Sequence, residues 1–101
     1  MQEIISRSLA VHERYHQIEE RHHGSKWSVE EDALAFLADA ALVGRYTMSQ
    51  QGRWPKGDNP AELEHKLGES IWWLIVLANR MDINIEDAVS KFLTGTEDIL
   101  D

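Results

Sequence analysis

Leu67-Gly68-Glu69-Ser70-Ile71-Trp72-Trp73-Leu74-Ile75-Val76-Leu77-Ala78-Asn79-Arg80-Met81-Asp82-Ile83-Asn84-Ile85-Glu86-Asp87-Ala88 is the stretch on which the fold turns. Its centre, Ile71 to Ala78, is an unbroken apolar run. The run is far short of the roughly 20 residues that a bilayer span needs. A helix that is apolar all round must be covered all round. Three other helices of one small chain cover it only in part, so two readings stand side by side. Either this is the central helix of a four-helix core, or one of its sides is also a subunit interface. Trp72 and Trp73 point about 100° apart on a helix, which gives them two different contacts.

Working outward, Asn59-Pro60-Ala61-Glu62 opens this third helix with a cap, a proline at the first helical position and an early acid. Asp82-Ile83-Asn84 is a tight turn. Asn84 caps a fourth helix, expected to end near Leu93 before Thr94-Gly95, with frayed residues after it. Upstream, Ser49 to Asp58 is polar, with two glycines and a proline, and reads as a long loop. Ser28-Val29-Glu30-Glu31 is a capping box that starts an alanine-rich second helix, running to about Met48. The first helix covers about Gln2 to His22 and stops at Gly24. Ile4, Val11 and Ile18 recur on it at intervals of seven, Ser8 and Tyr15 lie between them, and Ile5 and Leu9 widen the stripe. There is no strand pattern and no internal repeat. The reading is a single all-α domain over residues 1–101.

Charge narrows the function classes. The chain carries 18 acidic against 10 basic residues, a formal net of −8, and a field of that sign disfavours a nucleic acid polymer or an anionic membrane as partner. It does not disfavour a nucleotide arriving with Mg²⁺, which carboxylates hold. The absence of cysteine removes disulfides, thiolate zinc sites and thiol catalysis. No basic segment precedes an apolar one at the N-terminus, so a secretion signal is not expected and a cytoplasmic protein is.

Three groups of residues carry chemistry. His12-Glu13-Arg14-Tyr15-His16 matches H-E-x-x-H, in which two histidines bind zinc and the glutamate activates water. His22 stands where the longer form of the motif wants a third ligand. Glu19, however, stands where that form needs the glycine that breaks the helix, so His22 continues about 9 Å along the axis from His16. The expectation is a partly exposed helix face, loose metal binding at most, and no peptidase. The second group is Asp32 and Asp39 on one face of the second helix, and Glu62 and Glu69 with His65 and Lys66 on the third. Residues seven apart lie about 10.5 Å apart along a helix and cannot share one ion. These faces read as solvated, as a buried charge pair between Lys66 and an acid, or as a metal site. The third is the Arg53-Trp54-Pro55-Lys56 loop, whose cations and aromatic suit a phosphate and a base, or an ordinary loop anchored by its tryptophan.

From Trp27 to Leu93, and most clearly over the stretch quoted first, the chain resembles the MazG-like nucleotide pyrophosphohydrolases. Their third helix reads roughly L-G-D-x-L-W-Y-L-x-x-L-A-N and is followed by G-I-D-L-E-E-A. The resemblance implies an all-α four-helix fold, assembly into a homodimer or larger homo-oligomer, and Mg²⁺-dependent cleavage of a nucleoside triphosphate to monophosphate and pyrophosphate. The family's metal ligands are E-E-x-x-E on the second helix and E-x-x-D on the third. These fall on Ala38-Asp39-Ala40-Ala41-Leu42 and Lys66-Leu67-Gly68-Glu69. Asp39 and Glu69 are the implied surviving metal ligands, with Asp32 and Glu62 next in line. Lys66, Arg53, Trp54 and Lys56 are the substrate-binding candidates. With Lys66 and Leu42 in place of acids, the expectation is an eroded metal site, either slow in catalysis or silent and retained for binding a nucleotide or a protein.

Overall fold

Local capping chemistry sets the boundaries of four helices. A computed structural model describes residues 1–53 and 60–101. Helix α1, Gln2–His23, ends at Gly24, whose φ of 78° lets its N–H turn back to the Glu20 carbonyl at 2.9 Å. Helix α2, Val29–Gln50, begins with the expected capping box. The Glu31 N–H donates to Ser28 Oγ at 3.1 Å, and the Ser28 N–H donates to Glu31 Oε1 at 2.7 Å. Helix α3 spans Pro60–Arg80. It closes in a Schellman turn, with the Ile83 N–H on the Ala78 carbonyl at 2.8 Å and Asp82 left-handed at φ 58°. Asn84 then caps helix α4, Ile85–Leu100, accepting from the Asp87 N–H at 3.0 Å. Among the described residues there is no strand, so the all-α, four-helix reading holds. The proposed cap at Asn59 and the second half of the expected loop, residues 54–58, lie outside the described residues.

Helix α4 corrects the sequence reading. It runs through Thr94-Gly95 to Leu100 and does not stop near Leu93. A glycine inside a helix costs about 1 kcal/mol, which discourages a helix without terminating it.

The core is narrow. Among the described residues, its buried apolar side chains are Trp73, Ile75, Val76, Leu77 and Ala78, all on α3. Helix α2 lies antiparallel to α3, since Asp39 meets Lys66 and Trp73 while Asp32 meets Arg80. Helix α1 crosses α3 at Trp72, whose indole N–H donates to the Ser8 carbonyl at 3.0 Å and whose ring packs beside His12 and Tyr15. Helix α4 makes few contacts with α3 and buries none of its residues. Ile71 and Leu74 of the apolar run stay exposed.

Helix α1 also reverses an expectation. The line it turns inward is Ser8, His12 and His16, while Ile4, Val11, Tyr15 and Ile18 face outward. The inward face therefore takes only the edge of the stripe, with Ser8 buried and Ile5 and Leu9 half-buried. The radius of gyration is 16.3 Å, against about 13 Å for a compact 100-residue domain. No helix of the described residues is long and apolar enough to cross a membrane.

Candidate functional site

Two polar nodes lie along the seam where α2 faces α3. They sit about two helical turns apart, because Asp39 and Asp32 are seven residues apart on α2.

The first node joins Asp39, Lys66 and Glu69. Lys66 Nζ donates to Asp39 Oδ1 at 3.0 Å and to Glu69 Oε1 at 2.8 Å. The Trp73 indole N–H donates to Asp39 Oδ2 at 2.8 Å, so both carboxylate oxygens are engaged. His65 lies 3.6 Å from Glu69 Oε1, on the outer side. Hydrogen bonds from Lys66 to the two carboxylates hold its ammonium well above the usual lysine range. Burial works to raise the Asp39 carboxyl, but the hydrogen bonds from Lys66 and Trp73 together outweigh it and hold the group below its ordinary value. The arrangement is a closed ion cluster in which an ammonium sits between two carboxylates. Of the alternatives open in the sequence, this is the charge pair between Lys66 and an acid.

A stability test follows from these directions. Asp39, with its value lowered, contributes stability that is present above about pH 4 and is lost as pH falls through that lowered value. Lys66, with its value raised, contributes stability that is present below about pH 10.5 and is lost as pH rises through its folded value. Lys66→Met is therefore expected to cost about 2 kcal/mol at neutral pH, the scale of hydrogen bonds to charged groups. The difference from wild type should shrink at both pH extremes. Denaturant melts from pH 2 to 11 check this, and a gap independent of pH would refute the cluster.

The second node is deeper. Asp32 is fully buried, and its Oδ2 accepts from Arg80 Nη1 at 2.8 Å and lies 3.0 Å from His12 Nε2. Arg80 also donates from Nη1 to the Trp27 carbonyl at 2.9 Å, tying α3 to the segment before α2. His16 stacks edge-on to His12, with ring centroids 4.1 Å apart. His12 and His16 are each only 7 % exposed, which corrects the expectation of a partly exposed face. Burial pushes the His12 imidazole below the usual histidine range; neighbouring His16 pushes the same way, and Asp32 opposes them. Glu13 is exposed, off the buried line, so this H-E-x-x-H does not present its glutamate beside its histidines.

Glu62 is exposed in the first turn of α3. Arg53 is exposed beyond α2, with its backbone N–H on the Met48 carbonyl at 2.8 Å. Trp54 and Lys56 lie outside the described residues. Asp32, paired with Asp39 in the sequence reading, belongs to the other node.

Arg80 is the residue that sequence reasoning passed over. Its signal was spacing: Lys66, Trp73 and Arg80 recur at sevens on α3 and face Asp39 and Asp32, seven apart on α2. Beside the two nodes, α1 and α3 enclose a cleft of about 360 Å³ whose wall includes His12, Tyr15, Trp27, Glu69, Trp72 and Trp73. Its wall mixes aromatic rings with the ionisable side chains of His12, Glu19, His22, His23 and Glu69. Comparison of the chain with protein-family models, with curated proteins and with solved structures finds no match.

Proposed function

We propose that this chain is a MazG-like helical module that binds and does not cleave. In this reading Lys66 replaces the divalent ions on which the pyrophosphohydrolase chemistry of the family it resembles depends. The observation that carries it is the ammonium held at 3.0 and 2.8 Å from Asp39 and Glu69, the two acids that the resemblance assigns to metal. A Mg²⁺ ion needs several oxygen donors and near-octahedral space. At this node Asp39 has spent both oxygens, on Lys66 and on Trp73. A fixed positive charge at about 4 Å disfavours a divalent ion by several kcal/mol at an effective dielectric of 20. The active reading, Mg²⁺-dependent cleavage of a nucleoside triphosphate, has in its favour that Asp39 and Glu69 remain acids and adjoin one cation.

The test separates the two. Wild-type protein with Mg²⁺ and each nucleoside triphosphate is expected to release monophosphate and pyrophosphate no faster than a protein-free control. Lys66→Glu combined with Leu42→Glu is expected to gain Mg²⁺ binding by calorimetry. Brisk wild-type turnover that Glu69→Gln abolishes would overturn the binding-only reading.

The occupant of the open surface, in this reading, is first of all a second copy of the chain. A compact monomer of this mass exposes about 5,800 Å², and this chain exposes 7603 Å². The excess is of the size that one partner contributes to an obligate dimer interface. It includes the outward stripe of α1, Ile71 and Leu74 on α3, and Val89, Phe92, Leu93, Ile99 and Leu100 on α4.

A further inference from the structure

The deeper node has features that ion pairing does not explain. His12, His16 and Asp32 come from two helices, all are buried, and one ligating atom of each lies within 4.8 Å of the other two. Two of their polar atoms are buried with no hydrogen-bond partner among the described residues: His16 Nε2 and Asp32 Oδ1. A buried unpartnered polar atom costs about 1–3 kcal/mol, and two in one cluster point to something that both would bind. Neither is an oddity of a flexible surface, since His16 is 7 % exposed and Asp32 not at all.

We propose that His12, His16 and Asp32 form a binding site for a zinc-class divalent cation. Two imidazole nitrogens and one carboxylate oxygen are the donor set that zinc takes with a fourth position open to water. Nitrogen donors select against Mg²⁺ and Ca²⁺, which take oxygen. The i, i+4 spacing puts both rings on one side of α1, and the buried acid on α2 completes the set from across the interface. Each imidazole would bind the cation through an unprotonated ring nitrogen, which keeps a lone pair for it. Without metal, a proton on His12 Nε2 satisfies Asp32 Oδ2. The cation takes over the role of that proton, with the imidazole proton moving to Nδ1. Arg80 stays on Asp32 from outside the donor set and fixes the carboxylate's orientation. Its charge opposes the cation and sets a ceiling on affinity. His12 also lines the aromatic cleft, so the open position has access to a ligand there. The exposed Glu13 gives the bound ion no adjacent general base, which separates this site from a peptidase.

The test uses the whole untagged chain, dialysed against chelator. Titration with Co²⁺ is expected to give visible d–d bands of a low-coordinate nitrogen and oxygen site that saturate at one ion per chain, and Zn²⁺ is expected to displace them. Zn²⁺ should raise the wild-type Tm. Mg²⁺ should do neither. His16→Gln keeps the bulk of the side chain and breaks no hydrogen bond described for His16 Nε2, so the variant has reason to fold. It is expected to weaken Co²⁺ binding by more than about 100-fold, because even partners outside the donor set are worth 10–100-fold. It should also abolish the Tm gain. A His22→Gln, His23→Gln double variant serves as control and should bind as wild type does. Absence of Co²⁺ uptake by wild type, unchanged uptake in His16→Gln, or loss of uptake in the His22, His23 variant would each overturn the proposal. A His16→Gln protein that is less stable in the absence of metal, while wild type takes up none, would show that water alone fills the node, and would overturn it equally.

Discussion

Arg80→Met is expected to lower stability by about 3–5 kcal/mol, the usual cost of stranding a buried charge. The Asp32 side chain is 1 % exposed and relies on Arg80 Nη1 at 2.8 Å. With the guanidinium gone, the carboxylate keeps only its contact with His12. Either it stays ionised without compensation, or it takes up a proton at a cost that grows with pH. For a domain of this size the Tm should fall by about 15 °C or more. Asp32→Leu in the Arg80→Met background should recover much of the loss, because an apolar pair of similar volume often replaces a buried ion pair without penalty. Thermal and denaturant melts of the two single variants and the double variant at one protein concentration give the comparison. A change under about 1 kcal/mol for Arg80→Met would mean that solvent reaches Asp32 and that the node is not buried in solution.

Dimer or larger species are expected at micromolar concentration, and Phe92→Asp is expected to weaken association by more than about a hundredfold, near 3 kcal/mol. Phe92 is 68 % exposed on a helix that buries nothing of its own. Helix α4 has sixteen residues, little above the length at which an isolated helix is marginal in water. Its apolar face therefore needs a partner for the helix to persist. Sedimentation equilibrium reads the association, and the helical circular dichroism signal of Phe92→Asp should fall on dilution as α4 frays. A compact 11.6 kDa species of the wild-type chain at those concentrations would defeat both the dimer and its interface.

Much of the secondary structure was legible because caps are local. Ser28 with Glu31, Asn84 with Asp87, and Gly24 each act within a few residues, and each sits where its pattern implied. Orientation was less legible. The Ile4, Val11, Ile18 stripe marked an amphipathic helix, and a heptad stripe identifies an apolar face without saying which partner covers it. In the single chain the polar line Ser8, His12, His16 took the inside, because Asp32 and Trp72 offered it hydrogen bonds and ring contacts. The extent of α4 was missed because a glycine was read as a stop. At the candidate site, the charge pair at Lys66 was within reach of the sequence, since a lysine among acids at helical spacing finds one. Arg80 was not singled out, because its meaning depends on the antiparallel alignment of α2 with α3, which is a tertiary fact.

The buried carboxylate of Asp32 has a consequence for assembly fidelity. A stripe that repeats every seven residues is ambiguous to whatever grips it, since a slip of one repeat, about 10.5 Å, presents the same kind of surface again. Ile4, Val11 and Ile18 carry that ambiguity. Asp32 does not, because its hydrogen-bond partners, Arg80 and His12, come from two different helices. A slipped arrangement would leave it naked, at a cost comparable to much of a small domain's net stability. The acid thus works as a proofreader of alignment: greasy surfaces supply the adhesion, and one charge rejects the wrong offset.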